Sequence, residues 1–250
     1  MNIRTVKAAN PSAMTLDGTR THILGDKRVL IIDPGPKDKK HLKAVYHVVG
    51  ATPVNAILLT HTHPDHAAAA DIFAEAFDAP VLSYEYGNLS DGETLPTDVG
   101  EVRAIHTPGH TGDSFSFEFA VEGALFCGDI MMGGLDTALV ARPEGNLGKY
   151  LASLDRIAAL NPKVIIPTHG PAFDDPQDAI ARYRRHREDR LEQVFDAMNS
   201  GAVDARTVVD RVYGSDLDPA LREYAEPAIE AYLHHLRETG RLAMPETDKV

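Results

Sequence analysis

Three histidines and one aspartate fall within six residues at His61-Thr62-His63-Pro64-Asp65-His66. Imidazole and carboxylate are the side chains that a borderline divalent cation such as zinc takes as ligands. His61 and His63 are two apart, so extended backbone puts them on one face. Asp65 and His66 then open a helix, where the dipole also favours an acid. A single histidine is most often a packing or surface residue, but four donors at this spacing describe a metal-binding turn. Three further candidates sit on turns flanked by Gly or Pro. They are His110 in Thr107-Pro108-Gly109-His110-Thr111, Asp129 in Phe126-Cys127-Gly128-Asp129, and His169 in Pro167-Thr168-His169-Gly170. The chemistry such a set supports is hydrolysis. Two cations roughly 3.5–4 Å apart share a water, lower its pKa to about 7 and take up charge developing on a carbonyl or phosphoryl oxygen. The hydroxide is then the nucleophile, and no Ser, Cys or Lys is needed. Asp65 and Asp129 are the candidate catalytic carboxylates, placed to accept the water's proton or pass it to a leaving group.

These residues must be positioned by the elements before them. Arg28 to Ile32 is a buried-strand run closed by the turn Asp33-Pro34-Gly35-Pro36. Lys37 to Val49 has helical spacing, Ala56 to Leu59 is a strand running into His61, and Asp65 to Phe77 reads as one helix. Val81-Leu82, Val102 to Ile105, Phe115 to Phe119, Ala124 to Cys127 and Lys163 to Pro167 are further short strands, with an amphipathic helix at Leu147 to Leu160. Each candidate ligand therefore follows an apolar run. After Pro176 the composition changes. Gln177 to Asn199, Ala205 to Tyr213 and Pro219 to Glu238 read as helices, and a terminal hairpin follows, the outline of a small winged-helix-like appendage. Residues 1–175 are expected to form the catalytic domain and residues 176–250 the appendage.

Twenty-five basic against thirty-seven acidic residues leave a net charge of −12 over 250 residues. That opposes a broad electrostatic grip on nucleic acid or anionic membrane. Residues 176–250 alone carry eleven Lys+Arg and fifteen Asp+Glu, so DNA reading by the appendage is not expected. It is expected instead to be a lid, a pocket wall or an oligomer surface. The one cysteine, Cys127, excludes an internal disulfide and is expected to be a packed core residue. No apolar stretch has the length of a membrane span or a signal peptide, which makes the cytoplasm the default location.

The HTHPDH, TPGHT, CGD and PTHG segments, in this order and approximate spacing, resemble the metallo-β-lactamase superfamily. The resemblance implies an α/β fold, an αββα sandwich with the metals at one edge. It implies that His61, His63 and His110 hold one metal, that Asp65, His66 and His169 hold the other, and that Asp129 bridges them. Zinc is the expected metal, two per chain, and Mn²⁺ or Fe²⁺ would be tolerated by the same donors. Asp65 separates the chain from the lactam-cleaving branch that uses cysteine there.

Residues 10–19, Ile32-Asp33-Pro34-Gly35-Pro36 and the segment from Gly170-Pro171 to Arg190 are similar to the β-lactamase-like protein 2 group, in which a long helix leaves the metal site for a winged-helix-like domain. That group includes single-strand endoribonucleases, and some relatives act on thioesters. Two departures bear on substrate. Gly18-Thr19-Arg20-Thr21-His22 stands where the group reads Gly-Thr-Asn-Thr-Tyr, and Ala67 to Ala70 stand where many relatives have glycine. Arg20 favours an anionic substrate if it reaches the cleft and is a solvated charge otherwise. His22 lines the cleft if its strand matches the family position. Arg185 and His186, in a basic run, are the inward-facing candidates for a phosphate or carboxylate clamp. His41 and His47 are expected at the surface.

The expected function is hydrolysis of an ester or thioester, on a small molecule or an acyl carrier. RNA cleavage is the alternative within the enzyme class, and a metal-binding regulator or scaffold is the alternative outside it. Elemental analysis of purified protein should find two divalent ions per chain in wild type and about one in His66→Ala. Substoichiometric metal that the substitution leaves unchanged would overturn the ligand assignment.

Overall fold

The structure is a computed structural model that describes residues 2–214, 217 and 221–243. Its apolar runs become two five-stranded mixed sheets. In the first, β1 (Ile3–Lys7), β2 (Arg20–Leu24), β3 (Val29–Ile32), β4 (Val54–Leu58) and β5 (Val81–Leu82) lie in chain order. The first three pair antiparallel, and β3, β4 and β5 run parallel. The second sheet contains β6 (Thr94–Pro96), β7 (Glu101–His106), β8 (Phe115–Phe119), β9 (Ala124–Phe126) and β10 (Val164–Ile166). These pair antiparallel in chain order, except for the parallel β9–β10 pair.

Strand residues point alternately to the two faces of a sheet. Leu30, Ile32 and Leu58 of the first sheet therefore meet Phe115, Phe117, Phe119 and Phe126 of the second in the central core. The alternate residues Ile31 and Ile57 face outward against Val45 and Val49 of α1 (Lys39–Val49) and Phe73 of α3 (Ala70–Phe77). On the far side, Leu125 and Ile165 pack against Leu154 and Ile157 of α4 (Leu147–Leu160) and Ile180 and Tyr183 of α5 (Pro176–Asn199). Helices thus cover the outer face of each sheet, the expected αββα order. All four residues of β3 are buried, which is why its sequence reads as an unbroken apolar run.

Strands β1 and β6 have no counterpart in the sequence reading, and β2 entered it only through the family position of His22. Strand β2 begins Arg-Thr-His, yet everything after Arg20 is buried, with partners for Thr21 and for one ring nitrogen of His22. Thr21 donates to the Asp33 carbonyl at 2.6 Å, and His22 Nδ1 lies 3.0 Å from the Thr5 hydroxyl. The expected helix over Asp65 to Phe77 is broken into α2 (Pro64–Ala67) and α3. Backbone groups of the linking turn bond to Gly35: Gly35 N–H donates to His66 O at 2.8 Å and Ala69 N–H to Gly35 O at 2.9 Å. His41, expected at the surface, is buried, because its Nε2 bonds the Thr21 hydroxyl at 2.9 Å and the Pro34 carbonyl at 3.2 Å. His47 is exposed.

The C-terminal segment is helical, with α5, α6 (Ala205–Val212) and α7 (Arg222–Glu238). No strand follows α5 among the described residues, so a wing is not seen; the end of the expected hairpin lies outside them. The first half of α5 belongs to the sandwich core through Ala179, Ile180 and Tyr183. Its second half forms another core with α6 and α7, around Val194, Val208, Ile229 and Leu233, which Leu147 of α4 also joins. Helix α5, which begins at Pro176, thus contributes to both cores.

Candidate metal centre

The candidate ligands all follow strand ends. His61 follows β4, His110 follows β7, Asp129 follows β9 and His169 follows β10, so both sheets deliver side chains to one edge. Two glycines permit the close approaches. Gly109 has φ +146°, and a Cβ there would lie 2.4 Å from Tyr150 Cα on α4. Gly170 has φ +78°, and a Cβ would lie 2.2 Å from the Gly133 carbonyl. Both conformations are ones that L side chains rarely adopt.

All seven expected ligands converge, as overlapping groups whose donor atoms lie within 4.8 Å of one another: His61, His63 and His110; His61, His66 and Asp129; Asp65, His66 and His169. In the first group His63 Nδ1 lies 2.9 Å from His61 Nε2 and 3.2 Å from His110 Nε2. In the third, Asp65 Oδ2 lies 3.1 Å from His169 Nε2 and 3.5 Å from His66 Nε2. Asp129 sits between them. Its Oδ1 is 3.4 Å from both His66 and His169, and its Oδ2 is 3.9 Å from His110.

Each histidine is aimed by its other ring nitrogen. His66 Nδ1 meets the Asp33 carboxylate at 2.8 Å, His110 Nδ1 the Leu139 carbonyl at 2.7 Å, and His169 Nδ1 the Gly18 carbonyl at 3.3 Å. His63 Nε2 meets Glu144 at 3.0 Å, and His61 Nδ1 the Thr60 hydroxyl at 3.1 Å. An oxygen behind one nitrogen holds the proton there and leaves the lone pair of the other facing the centre, the usual outer shell of a metal-binding imidazole. Three such nitrogens converge in the first group. One proton can serve only one pair of them, whereas a cation serves all three. His66 Nε2 and Asp129 Oδ1 are moreover buried without a hydrogen-bond partner. The donor set therefore fits divalent metal.

Electrostatics agree. Burial pushes His61 and His110 below the ordinary imidazole range, leaving them neutral and ready to ligate at pH 7. Burial acts the same way on His66 and His169 but is outweighed. Asp129 and Asp33 hold His66 well above the ordinary value, and Asp129 with Asp65 lifts His169 to about 9. Burial would raise both site carboxyls. His66 and His169 reverse this, holding Asp129 well below the carboxylate range and Asp65 at about 2. The carboxylates thus demand positive charge at this spot. Burial drives the Cys127 thiol the other way, up to about 12, so it is an inert core group.

The four expected substrate contacts do not join this cluster. Arg20 is spent in a two-point pair with Asp17, at 3.0 and 2.8 Å, and Asp17 in turn accepts from Gly170 N–H at 3.2 Å. His22 is buried in the core with its ring 4.8 Å from that of Phe126. Arg185 is exposed and His186 lines a neighbouring cavity. The alanines at 67–70 do not line the metal cavity; Ala69 and Ala70 are buried. The residue that sequence reasoning missed is Asp33, read only as part of a turn. It is fully buried with φ +50°, a conformation uncommon outside glycine but tolerated by Asp. An acid ending a strand buried on both faces was the available signal.

Residues 16–87 and 85–169 match the family described as Metallo-beta-lactamase superfamily. A beta-lactamase-like protein 2 homolog of Drosophila melanogaster is 32% identical, over 97% of this chain and 90% of its own. An atrochrysone carboxyl ACP thioesterase of Cryptosporiopsis sp. is 30% identical, over 95% of this chain and 80% of its own. A beta-lactamase domain protein from Burkholderia ambifaria, 21% identical, superposes with a TM-score of 0.84 over 99% of this chain and 90% of its own, which shows the shared fold.

Two outcomes are expected. Asp33→Asn loses an acceptor facing buried donors, so it should cost about 3 kcal/mol of stability and weaken metal binding about 10–100-fold. Denaturant titration and chelator competition measure these, and a loss under about 1 kcal/mol would contradict the role. The second outcome concerns acid. Burial, aided by Arg20 and opposed by Asp33, lowers His22 from 6.5 to about 4. The unfolded chain then takes the proton first as pH falls. His22 contributes its full stability above pH 6.5 and loses it on the way down to pH 4, up to about 3 kcal/mol. His22→Phe should flatten the stability–pH curve in that window; equal slopes in the two proteins would refute this.

Proposed function

The chain belongs to the metallo-β-lactamase superfamily, and from that premise we propose that it is a dinuclear metal hydrolase of acyl thioesters, on a small molecule or an acyl carrier. One observation carries the dinuclear reading: the two oxygens of Asp129 face different histidine groups. His61, His63 and His110 would hold one cation and Asp65, His66 and His169 the other, with Asp129 between. When bound, two such cations, zinc first among them, supply a nucleophile at neutral pH and neutralise charge on the carbonyl oxygen. The chain's residues do the rest. Asp65 is only partly buried, lines the cavity and is steadied by the Thr19 hydroxyl at 3.1 Å, so it takes the proton that water loses. The water oxygen joins the acyl carbon, the carbon–sulfur bond breaks, and the thiolate leaves with that proton.

The acyl preference rests on the cavity above the centre. It measures about 460 Å³, and Met14, Met132, Leu139, Pro143, Tyr224 and Pro227 line it. Such walls suit an acyl chain better than a sugar-phosphate backbone. The relative named an ACP thioesterase supports the same substrate class. The net charge of −12 weighs against RNA.

Metal-loaded protein should hydrolyse S-acyl N-acetylcysteamine thioesters. Chelation should abolish turnover and zinc restore it, and Asp129→Asn should cost at least about 100-fold in kcat/KM, the scale set by losing a catalytic group. Cleavage of single-stranded RNA without thioester turnover would overturn the substrate reading. Bound metal with neither activity would leave a binding protein.

A further inference from the structure

A second cavity, about 280 Å³, lies beside the first, between α5, α7 and the segment 132–140. The two share Met14, Met132, Leu139 and Tyr224, so the chambers adjoin. Leu135, Val140, Ala225 and Ala228 give the second chamber apolar walls. Its remaining wall differs in kind, because His186, Arg187 and Arg190 of α5 line this chamber and not the metal cavity.

Both arginines are held in place. Arg187 is 4% exposed, donates to the Ala138 carbonyl and to the Tyr232 hydroxyl, and lies 5.0 Å over the Tyr150 ring. Arg190 lies 4.2 Å over the Tyr213 ring. Each still keeps a buried donor without a partner, Nε of Arg187 and Nη1 of Arg190. Interior donors are as a rule paired, and guanidinium groups pair best with carboxylates. Two other arginines of the run are spent elsewhere, Arg182 on Asp136 and Asp178 and Arg184 on Asp155 and Glu188, and Arg185 is exposed and does not line the chamber.

The geometry points to the second chamber as the seat of the substrate's acyl group, with Arg190 and His186 receiving an acidic oxygen at its far end. This rests on the thioester reading and narrows it. The preferred substrates are acyl thioesters that carry a second, acidic group away from the thioester, not plain fatty acyl chains. The apolar walls take the carbon chain, the shared wall points its thioester end toward the metal centre, and the cationic wall selects the far end.

The test is binding, independent of turnover. The probes are 2-oxoalkyl thioethers of N-acetylcysteamine, whose added methylene removes the hydrolysable bond. Calorimetry on metal-loaded protein compares an eight-carbon probe with and without a terminal carboxylate, and a two-carbon probe. Wild type should bind the carboxylate probe about tenfold or more tightly than its uncharged partner, the scale of one charged hydrogen bond. Arg190→Gln should bring that ratio close to one. Ala228→Phe, which fills the chamber, should weaken the eight-carbon probes far more than the two-carbon probe. An unchanged ratio in Arg190→Gln, or equal weakening of long and short probes by Ala228→Phe, overturns the inference. Absence of thioester hydrolysis alongside the expected binding pattern would instead sink the hydrolase reading and leave the chamber standing.

Discussion

A single buried carboxylate organises the catalytic edge of this protein. Asp33 is fully buried and receives the Thr60 backbone N–H and hydroxyl, each at 2.8 Å, the Thr168 hydroxyl at 2.9 Å and His66 Nδ1 at 2.8 Å. Those donors lie beyond β4, beyond β10 and on α2, so one group ties the ends of both sheets to the helix that carries His66. A buried charge is tolerated only when it is fully hydrogen-bonded. The requirement works in both directions. The donors must stay where the acid is, and the acid keeps each of them from turning toward solvent.

The metal centre inherits its geometry from that arrangement. Thr60 passes the restraint to His61 through its hydroxyl, and Thr168 precedes His169. A carbonyl or carboxylate behind each remaining histidine completes the aim. Ring nitrogens that face one another beside a buried carboxylate oxygen form a donor set that suits cations.

The C-terminal helices contribute to the cavity walls. Tyr224 and Pro227 of α7 line the metal cavity, and the backbone N–H of Arg142 bonds the Pro227 carbonyl at 3.0 Å. The long helix α5 spans the sandwich core and the helical core alike. Its basic run reads as one patch along the chain, but packing divides it. Some arginines go to exposed ion pairs worth little each, and two turn into the chamber behind the metal cavity.

The seven side chains that converge at the edge were legible because their chemistry is local: His and Asp at strand ends, in spacings that few other demands produce. The sandwich was legible where strands are buried on both faces, as in Val29–Ile32, since burial there leaves an unbroken apolar run. Strand β2 was not, because Thr21 and His22 are buried through partners at Asp33 and Thr5 that lie far along the chain. The break between α2 and α3 was hidden for the same reason, as it depends on the backbone of Gly35. Sequence alone determined the donor types, their order and the reaction class they suit. Tertiary structure decided which arginine is spent on a neighbour and which faces a cavity, and that a turn aspartate anchors the site. Those outcomes depend on partners brought together only by folding, and a hydrogen bond between distant residues leaves no period in the sequence.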